Sequence, residues 1–300
     1  MLSTRYCGRF APTPSGPLHA GSLLTALAGW LCARTAGGEW LLRFDDLDAP
    51  RCPPDADTLI LRQLEAHGLY WDGSADYQSR HLEGYRQALL ALEASARLYA
   101  CHCTRAMLAA NQASGPDGAV YRNLCRPPAG QSRSLHKECA IRFQIPDTPF
   151  CYTDAVLGRI VRQPEEIGDF VLRRADGQIA YQLASVVDEA RMKITDVVRG
   201  RDLLASSIRQ QLLQSALQLD HPAYLHLPLV LGSDGRKLSK QNGAASLDGH
   251  SVSINLQLAM ARLGLPVSAT LAQAPPKELL SWAVANFQPG QLARSDVNDA

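Results

Sequence analysis

The sequence predicts an α/β protein built on a doubly wound parallel sheet. Residues 5–10 and 39–44 are short apolar runs suited to buried strands, and residues 21–36 between them carry apolar side chains at helical spacing. Gly37 and Gly38 follow the helix, as glycines commonly do at a helix end. Two apolar strands joined by a helix form a βαβ unit, whose strands run parallel. Many unrelated activities share this fold, so the fold class leaves the function open.

Later segments repeat this alternation after an interruption. The apolar spacing predicts helices over residues 55–67 and 79–97. From Cys101 to about Tyr181 the chain is irregular, rich in arginine and bears cysteines, which indicates an insertion within the fold. A strand at ITDVVRG and a long helix at DLLASSIRQQLLQSALQL then resume the α/β pattern.

Composition narrows the class of protein. A net charge of +1 gives no global basic field, so any contact with nucleic acid must come from local patches. No segment has the length and apolarity of a signal peptide or a membrane helix, so we expect a soluble, cytoplasmic protein without a membrane partner. In that setting the 8 cysteines are expected to be reduced thiols or metal ligands rather than disulfides.

The stretch RFAPTPSGPLHAGS, Arg9 to Ser22, is the strongest candidate site. It runs from a strand through a proline-rich loop into a helix start, where the first N–H groups lack partners and the helix dipole favours an anion. Gly21 would let a nucleotide approach without a Cβ in the way. The stretch matches neither GxGxxG nor the Walker loop, so the common nucleotide motifs do not explain it.

Two other segments place charged side chains where a ligand could bind. DDLDAPR, Asp45 to Arg51, follows the second strand at its carboxyl end, where ligands bind in open α/β sheets, although acidic turns are often only solvated caps. KLSKQ, residues 237–241, places Lys237 and Lys240 on a glycine-flanked loop, a pattern that ordinary surface turns share.

The insertion offers a candidate metal site. Cys101, Cys103 and Cys125 supply three thiolates, one short of the four ligands of a closed structural zinc site. The CxC spacing is less diagnostic than CxxC, so the pattern alone fits a metal site and a set of reduced surface cysteines equally.

The insertion also offers a candidate surface for nucleic acid. Acidic residues are sparse between Arg122 and Arg162, so the arginines of this region predict a positive patch suited to backbone phosphates. The arginines are Arg122, Arg126, Arg133, Arg142, Arg159, Arg162, Arg173 and Arg174, with Lys137 among them.

The opening stretch resembles the first signature of class I aminoacyl-tRNA synthetases of the glutamyl type, with HAGS where that family has its HIGH-like tetrad. KLSKQ resembles the second signature, KMSKS, and the resemblance covers residues 5 to about 265. It implies a Rossmann-like sheet with an α+β insertion of the kind that binds the tRNA acceptor stem. The implied division is residues 1–100 for the first half of the nucleotide-binding fold, 101–180 for the zinc-bearing insertion, 181–245 for the second half with the KLSKQ loop, and 246–300 for a short helical C-terminal remnant.

The resemblance also implies roles for single residues. ATP and its Mg²⁺ would be handled by the helix start and the second signature, through His19, Gly21, Ser22, Lys237 and Lys240, with His19 and the two lysines catalytic. Glutamate would be held by Arg9, Phe10, Ala11, Pro12, Thr13, Asp45, Tyr181 and Arg199. Arginine suits a dicarboxylic substrate because it binds carboxylates with paired, charge-assisted hydrogen bonds. Asp45 departs from the family, which has glutamate there for the substrate amino group, so its carboxylate reaches one methylene less far.

Within this family, the glutamyl-Q tRNA(Asp) synthetases carry CxC…YxxxC with a structural zinc ion. The chain matches that pattern, with Tyr121 at the position of the fourth ligand. A phenolate is a reasonable ligand because a bound cation lowers the pKa of a hydroxyl group. Cys139, His102 and His136 are rival fourth ligands.

The resemblance implies an AMP-forming ligase, acting as a monomer. It would activate glutamate with ATP and esterify it onto the queuosine base in the anticodon loop of tRNA(Asp). The residues after Lys240 predict two helices and a polar tail, whereas a glutamyl-tRNA synthetase continues into a long anticodon-binding domain. Two alternatives stay open: a truncated glutamyl-tRNA synthetase that charges a tRNA 3′ end, and a non-catalytic RNA-binding paralogue.

Overall fold

The structure is a computed structural model that describes residues 5–128, 138–231, 247, 250–292 and 297–298. Its strands are β1 (Cys7–Phe10), β2 (Glu39–Phe44), β3 (Asp76–Tyr77), β4 (Leu98–Cys101), β5 (Gln112–Gly115), β6 (Gly118–Tyr121), β7 (Ala140–Phe143), β8 (Phe150–Asp154), β9 (Gly158–Arg162), β10 (Phe170–Arg173), β11 (Asp196–Gly200), β12 (Ala223–Leu227), β13 (Val230–Leu231) and β14 (Val297–Asn298). Its helices are α1 (Ala20–Thr35), α2 (Ala56–Ala66), α3 (Leu82–Ala94), α4 (Arg105–Asn111), α5 (Pro164–Ile167), α6 (Tyr181–Arg191), α7 (Leu204–Ala216), α8 (Val252–Arg262) and α9 (Pro276–Asn286).

The central sheet confirms the predicted doubly wound, parallel architecture. Five strands lie in the order β12-β11-β1-β2-β3, and every neighbouring pair is parallel. The chain builds from β1 outward through β2 and β3, and later returns to the other side of β1 as β11 and β12. The strand order therefore reverses between β1 and β11, and open α/β sheets bind their ligands at the carboxyl ends of strands at such a point.

One face of this sheet is covered by α1. Phe10, Leu42 and Val198 come from three neighbouring strands and are buried in one apolar core with Leu27 of α1. Small and branched apolar residues leave little polar surface on α1. The helix is therefore suited to a position that is buried on most sides. Helices α8 and α9 pack on α1 from outside and share the same core.

The opposite face carries charge. Arg9 of β1 lies opposite Leu41 of β2, so Arg43 is the next side chain of β2 on that face. The register between β1 and β11 places Arg199 on this face as well. Helix α6 covers it and brings carboxylates to the arginines, as described below.

The insertion packs directly on the second half of the sheet domain. Its main element is an antiparallel sheet in the order β10-β7-β4, accompanied by the hairpins β5-β6 and β8-β9. Phe143 and Phe170 of this sheet share a buried core with Leu183 of α6 and Leu213 of α7. The domain boundaries stay a prediction, but the insertion is joined to the sheet domain by a continuous apolar contact.

A buried polar chain ties the insertion to β12. Asp154, at the end of β8, lies with its Oδ2 atom 2.6 Å from His226 Nδ1. His226 Nε2 lies 2.7 Å from the hydroxyl oxygen of Ser207 on α7. All three side chains are buried, so the contact fixes the hairpin β8-β9 against the strand that leads towards the KLSKQ segment.

One predicted helix is shorter than expected. Residues 78–81 form a 3₁₀ turn, and α3 then runs only to Ala94 rather than to residue 97. Ala96 adopts a left-handed backbone conformation, with φ at 54°, which ends the helix before β4 begins. No helix in the described ranges combines the length and apolarity that crossing a membrane requires.

The Asp154–His226 pair predicts that acid weakens the fold. Burial lowers the pKa of His226, although Asp154 opposes the shift, so as pH falls below about 6.5 His226 binds its proton more readily in the unfolded chain than in the folded chain. Stability therefore falls as pH falls from about 6.5, because the unfolded state binds more protons.

We expect the free energy of unfolding to fall between pH 7.5 and pH 5, and the fall to be smaller in His226→Gln by on the order of 1 kcal/mol. Urea unfolding of both proteins at the two pH values measures this difference. Identical pH dependence in the two proteins would contradict the lowered pKa of His226 as the cause.

Candidate active site

The loop that follows β1 is fixed at both ends. The Asp45 backbone N–H donates to the carbonyl of Pro12 at 3.0 Å, and the Leu18 N–H donates to the side-chain oxygen of Gln63 at 2.7 Å. Gln63 is buried on α2. The proline-rich segment is therefore held between the end of β2 and α2, where it forms a wall of the cavity described below.

His19 is the N-cap of α1. Its Nδ1 atom accepts hydrogen bonds from the backbone N–H groups of Gly21 at 3.1 Å and Ser22 at 3.3 Å. An accepting Nδ1 carries no proton, so the ring proton lies on Nε2. A Cβ at Gly21 would lie 3.1 Å from the imidazole, so the glycine allows the ring to fold back over the helix start. This corrects the expectation that these first-turn N–H groups lack partners.

One cavity brings most of the predicted site residues together. It has a volume of about 520 Å³ and opens at the carboxyl ends of β1 and β11, on the switch point of the sheet. The predicted residues that line it are Arg9, Phe10, Ala11, Pro12, Thr13, His19, Gly21, Ser22, Tyr181 and Arg199. Lys237 and Lys240 lie outside the described residues.

Arg9 and Arg199 form the cationic floor of the cavity. Their exposed fractions are 6% and 2%. Arg199 donates from Nη2 to Gln210 Oε1 at 2.6 Å, while its Nε and Nη1 groups have no hydrogen-bond partner among the described residues. A buried donor without a partner costs about 1–3 kcal/mol, and more when it is charged. The arrangement therefore suits an anionic ligand group beside Arg199.

Asp45 lies behind this floor. Its carboxylate accepts a 2.8 Å hydrogen bond from Arg43 Nε, and it is not among the lining residues of the cavity within the described part of the chain. Burial raises the pKa of Asp45 although Arg43 acts in the opposite direction. Direct binding of the substrate amino group by Asp45 stays a prediction, and its carboxylate is already held by Arg43.

The polar lining residues that were missed by the reasoning from sequence include Arg51, Asp202 and Thr25. Arg51 ends the acidic segment after β2, Asp202 follows the end of β11, and Thr25 lies one turn into α1. Arg51 of the DDLDAPR motif had no separate role in the sequence, because one arginine beside three aspartates is typical of local charge neutralisation. Only the fold shows that it reaches the cavity.

The cysteine cluster forms as a compact set. Ligand atoms of Cys101, Cys103 and Cys125 all lie within 4.8 Å of one another. The Tyr121 hydroxyl lies 3.7 Å from Cys101 Sγ and 3.5 Å from Cys103 Sγ. Metal–sulfur bonds of about 2.3 Å in a tetrahedron separate the sulfur atoms by about 3.8 Å, so three thiolates and a phenolic oxygen can surround one ion here.

A neighbouring cation favours the thiolate form of Cys101, one member of this cluster. Burial alone would raise the pKa of Cys101, but Arg142, the Cys103 backbone and Tyr121 together lower it to about 7. The Arg142 guanidinium also lies 3.6 Å above the centre of the Tyr121 ring. Metal ligands must be deprotonated, so this shift prepares Cys101 for a cation, whereas burial raises the pKa of Cys103 to about 11.

Two of the three rival fourth ligands, Cys139 and His102, lie outside the cluster. Cys139 Sγ lies 3.2 Å from His102 Nδ1, so these two side chains contact each other instead. His136 lies outside the described residues. Tyr121 as the fourth ligand stays a prediction, and the distances are consistent with it.

The predicted positive patch is wrong for three of its arginines. Arg126 pairs with Asp147 and Asp169, and Arg162 makes a close pair with Asp117. Arg142 is buried, as described above. These pairs cannot be seen in the sequence between Arg122 and Arg162, because Asp169 and Asp117 lie outside that range. Arg122 and Arg159 have exposed side chains and keep the surface assignment.

Comparison with known proteins identifies the family. Residues 7–266 match the family described as tRNA synthetases class I (E and Q), catalytic domain. The chain belongs to this family, and its full-length relatives place it among the glutamyl-Q tRNA(Asp) synthetases. It is therefore an enzyme of the ligase class, and the non-catalytic alternative is set aside.

Two relatives show how far the similarity extends. The glutamyl-Q tRNA(Asp) synthetase of Neisseria meningitidis is 43% identical over 293 residues, which cover 97% of this chain and 99% of the relative. That of Xanthomonas campestris is 47% identical over 302 residues, covering 100% of this chain and 97% of the relative.

Solved structures share the fold. A glutamate tRNA ligase from Elizabethkingia meningosepticum superposes with a TM-score of 0.78 at 24% identity, over 99% of this chain and 67% of that chain. The glutamate-tRNA synthetase of Elizabethkingia anophelis gives 0.80 at 24% identity, over 99% and 68%.

The two functions of the His19 ring can be separated by substitution. Asparagine is a good N-cap, so we expect His19→Asn to retain more stability than His19→Ala, which loses about 1 kcal/mol. Both should lower glutamate-dependent pyrophosphate exchange about 100-fold, because both lack the Nε2 donor. Near-normal exchange in His19→Asn would remove the ring from the chemistry. Thermal unfolding of both variants provides the control.

Proposed function

We propose that this protein activates glutamate with ATP and transfers it to the queuosine base in the anticodon loop of tRNA(Asp). The observation that carries the proposal is one cavity that joins two buried arginines to a helix start capped by histidine. The names of the relatives support glutamate and tRNA(Asp) as the substrates.

The arginines define the amino acid side of the cavity. A dicarboxylic amino acid presents two carboxylates, and Arg9 and Arg199 present two buried guanidinium groups. Each guanidinium can bind a carboxylate with paired hydrogen bonds. Tyr181, at the first position of α6, lines the same cavity and adds a hydroxyl group at its edge.

The start of α1 defines the nucleotide side. The glutamate carboxylate attacks the α-phosphorus of ATP and pyrophosphate leaves, so no enzyme nucleophile is needed. Catalysis then consists of positioning and of stabilising the charge that develops on the phosphates. His19 would donate from Nε2, and Lys237 and Lys240 would add positive charge from their loop. Mg²⁺ would supply further neutralisation of the phosphates when bound.

The cysteine cluster is proposed to hold a structural zinc ion. Cys101, Cys103, Cys125 and Tyr121 have the donor types and the mutual distances that tetrahedral zinc requires. The ion would link β4, β6 and the segment after β6, and so rigidify the tip of the insertion. All four ligands come from the protein, which suits a structural rather than a catalytic role.

The tRNA side of the proposal rests on the relatives. We expect the protein to act as a cytoplasmic monomer and to present the insertion to the tRNA. The remaining alternative is transfer to the 3′ end of a tRNA, as a glutamyl-tRNA synthetase does. The two differ in the acceptor atom, so an acceptor that lacks one of the two sites separates them.

The proposed reaction has two steps, activation of glutamate and its transfer to tRNA, that can be measured in turn. We expect glutamate-dependent exchange of pyrophosphate into ATP, and transfer of labelled glutamate to queuosine-containing tRNA(Asp) that lacks its terminal adenosine. Loss of that adenosine removes the 3′ acceptor and leaves the base intact. The matched control is the same tRNA with unmodified guanine in the anticodon. Transfer only to tRNA with an intact 3′ end would overturn the proposed target, and absence of exchange would overturn glutamate activation.

Removing one ligand of the cluster should release the metal. We expect one zinc ion per chain in the parent protein, and substantially less in Cys125→Ser. Tyr121→Phe should bind zinc more weakly, because it keeps the ring and loses only the hydroxyl group. Elemental analysis after dialysis against a chelator measures this, with the exposed Cys151→Ser as the control. A parent protein without stoichiometric zinc would contradict the assignment.

A further inference from the structure

Helix α6 points a column of side chains at the floor of the cavity. Tyr181, Ser185 and Glu189 recur at four-residue steps and therefore share one face of the helix. Tyr181 lines the cavity at the first position of the helix. Glu189 lies two turns deeper, with an exposed fraction of 2%, among the arginines of the sheet.

Glu189 holds one edge of the Arg9 guanidinium. Its Oε1 atom accepts a hydrogen bond from Arg9 Nε at 3.0 Å and forms an ion pair with Arg9 Nη2 at 2.9 Å. Arg9 Nη1 donates to the carbonyl of Val198 at 3.3 Å. A guanidinium has five N–H donors, and these two hydrogen bonds and the ion pair occupy Nε and one side of each terminal nitrogen, which leaves one donor on each terminal nitrogen. Those two donors belong to an arginine that lines the cavity.

Glu189 differs from the other buried acids nearby in the arginine that it contacts. Asp45 accepts from Arg43, and Asp188 accepts from Tyr85 and Gln78. Within the described residues the side-chain hydrogen bond and the ion pair of Glu189 both go to Arg9, and its Oε2 atom has no partner there. Of these three carboxylates, only Glu189 is bonded to an arginine of the cavity floor.

The charge of Glu189 is suited to this contact. Burial by itself would raise the pKa of Glu189, but Arg9, Arg199 and Arg43 lower it below its ordinary value, so the carboxylate is ionised at neutral pH. A charged acceptor holds a guanidinium edge more tightly than a neutral one. Arg9 is thereby fixed before any ligand binds.

We propose that Glu189 is the positioning residue that aims the two remaining donors of Arg9 at a carboxylate of the amino acid substrate. The inference rests on the proposed function, and it adds a residue to which the signatures and the family resemblance gave no role. Glu189 acts through Arg9 and does not touch the substrate.

The test compares substrate affinities in glutamate-dependent pyrophosphate exchange. In Glu189→Gln the side chain keeps its shape and loses its charge, so Arg9 is held less firmly. We expect the KM for glutamate to rise at least about tenfold while the KM for ATP changes less than about twofold. Asp169→Asn, an equally buried acid in the insertion, is the matched control and should leave the KM for glutamate unchanged.

A double-mutant cycle separates positioning from a general structural effect. In an Arg9→Met background, Glu189→Gln should raise the KM for glutamate no further, because the residue through which it acts is absent. An added increase in that background, or a parent-like KM in Glu189→Gln, would overturn the inference. Circular dichroism checks folding first, and Glu189→Asp, which keeps the charge at shorter reach, enters the same cycle if Glu189→Gln does not fold.

The cycle also distinguishes this inference from the proposed function. A parent protein without glutamate-dependent exchange removes both. An active parent whose Glu189→Gln variant binds glutamate normally removes only the role of Glu189.

Discussion

The structure depends on the burial of three arginines on one face of the parallel sheet. Arg9, Arg43 and Arg199 come from three neighbouring strands and have exposed fractions of 6%, 0% and 2%. Buried cations are strongly destabilising unless charged partners are buried with them. Helix α6 brings two of those partners, Asp188 and Glu189, and the third, Asp45, directly follows β2. Arg9 and Arg43 are held in one arrangement by these carboxylates, whereas Arg199 donates to Gln210 and has no ion pair among the described residues.

The register of the sheet makes this arrangement possible. Phe10, Leu42 and Val198 alternate with the arginines along their strands, so one face packs on α1 and the other faces α6. A register slip of one residue would exchange the two sets and bury the charges in the apolar core. Hydrophobic packing on one face thus positions the charged groups on the other.

The sequence predicted the fold better than it predicted the pairing of charges. The βαβ unit follows from local patterns of apolar residues, and Arg9, His19 and Arg199 line one cavity as expected. Motifs name residue types at short spacing, but the partner of a buried charge comes from a distant segment. Glu189 lies 180 residues from Arg9 in the chain, and no local pattern marks the pair. The same reason explains why Arg126 and Arg162 were wrongly assigned to the surface patch.

The cap of α1 changes what the nucleotide side of the cavity can offer. A bare helix start binds anions through its backbone N–H groups. In this chain the N–H groups of Gly21 and Ser22 are bonded to His19 Nδ1. A phosphate that took those N–H groups would have to displace the ring, whereas a phosphate at Nε2 leaves the cap in place. Retaining both cap bonds favours the second arrangement, so the imidazole, polarised by its two backbone donors, is the contact that α1 presents to the nucleotide.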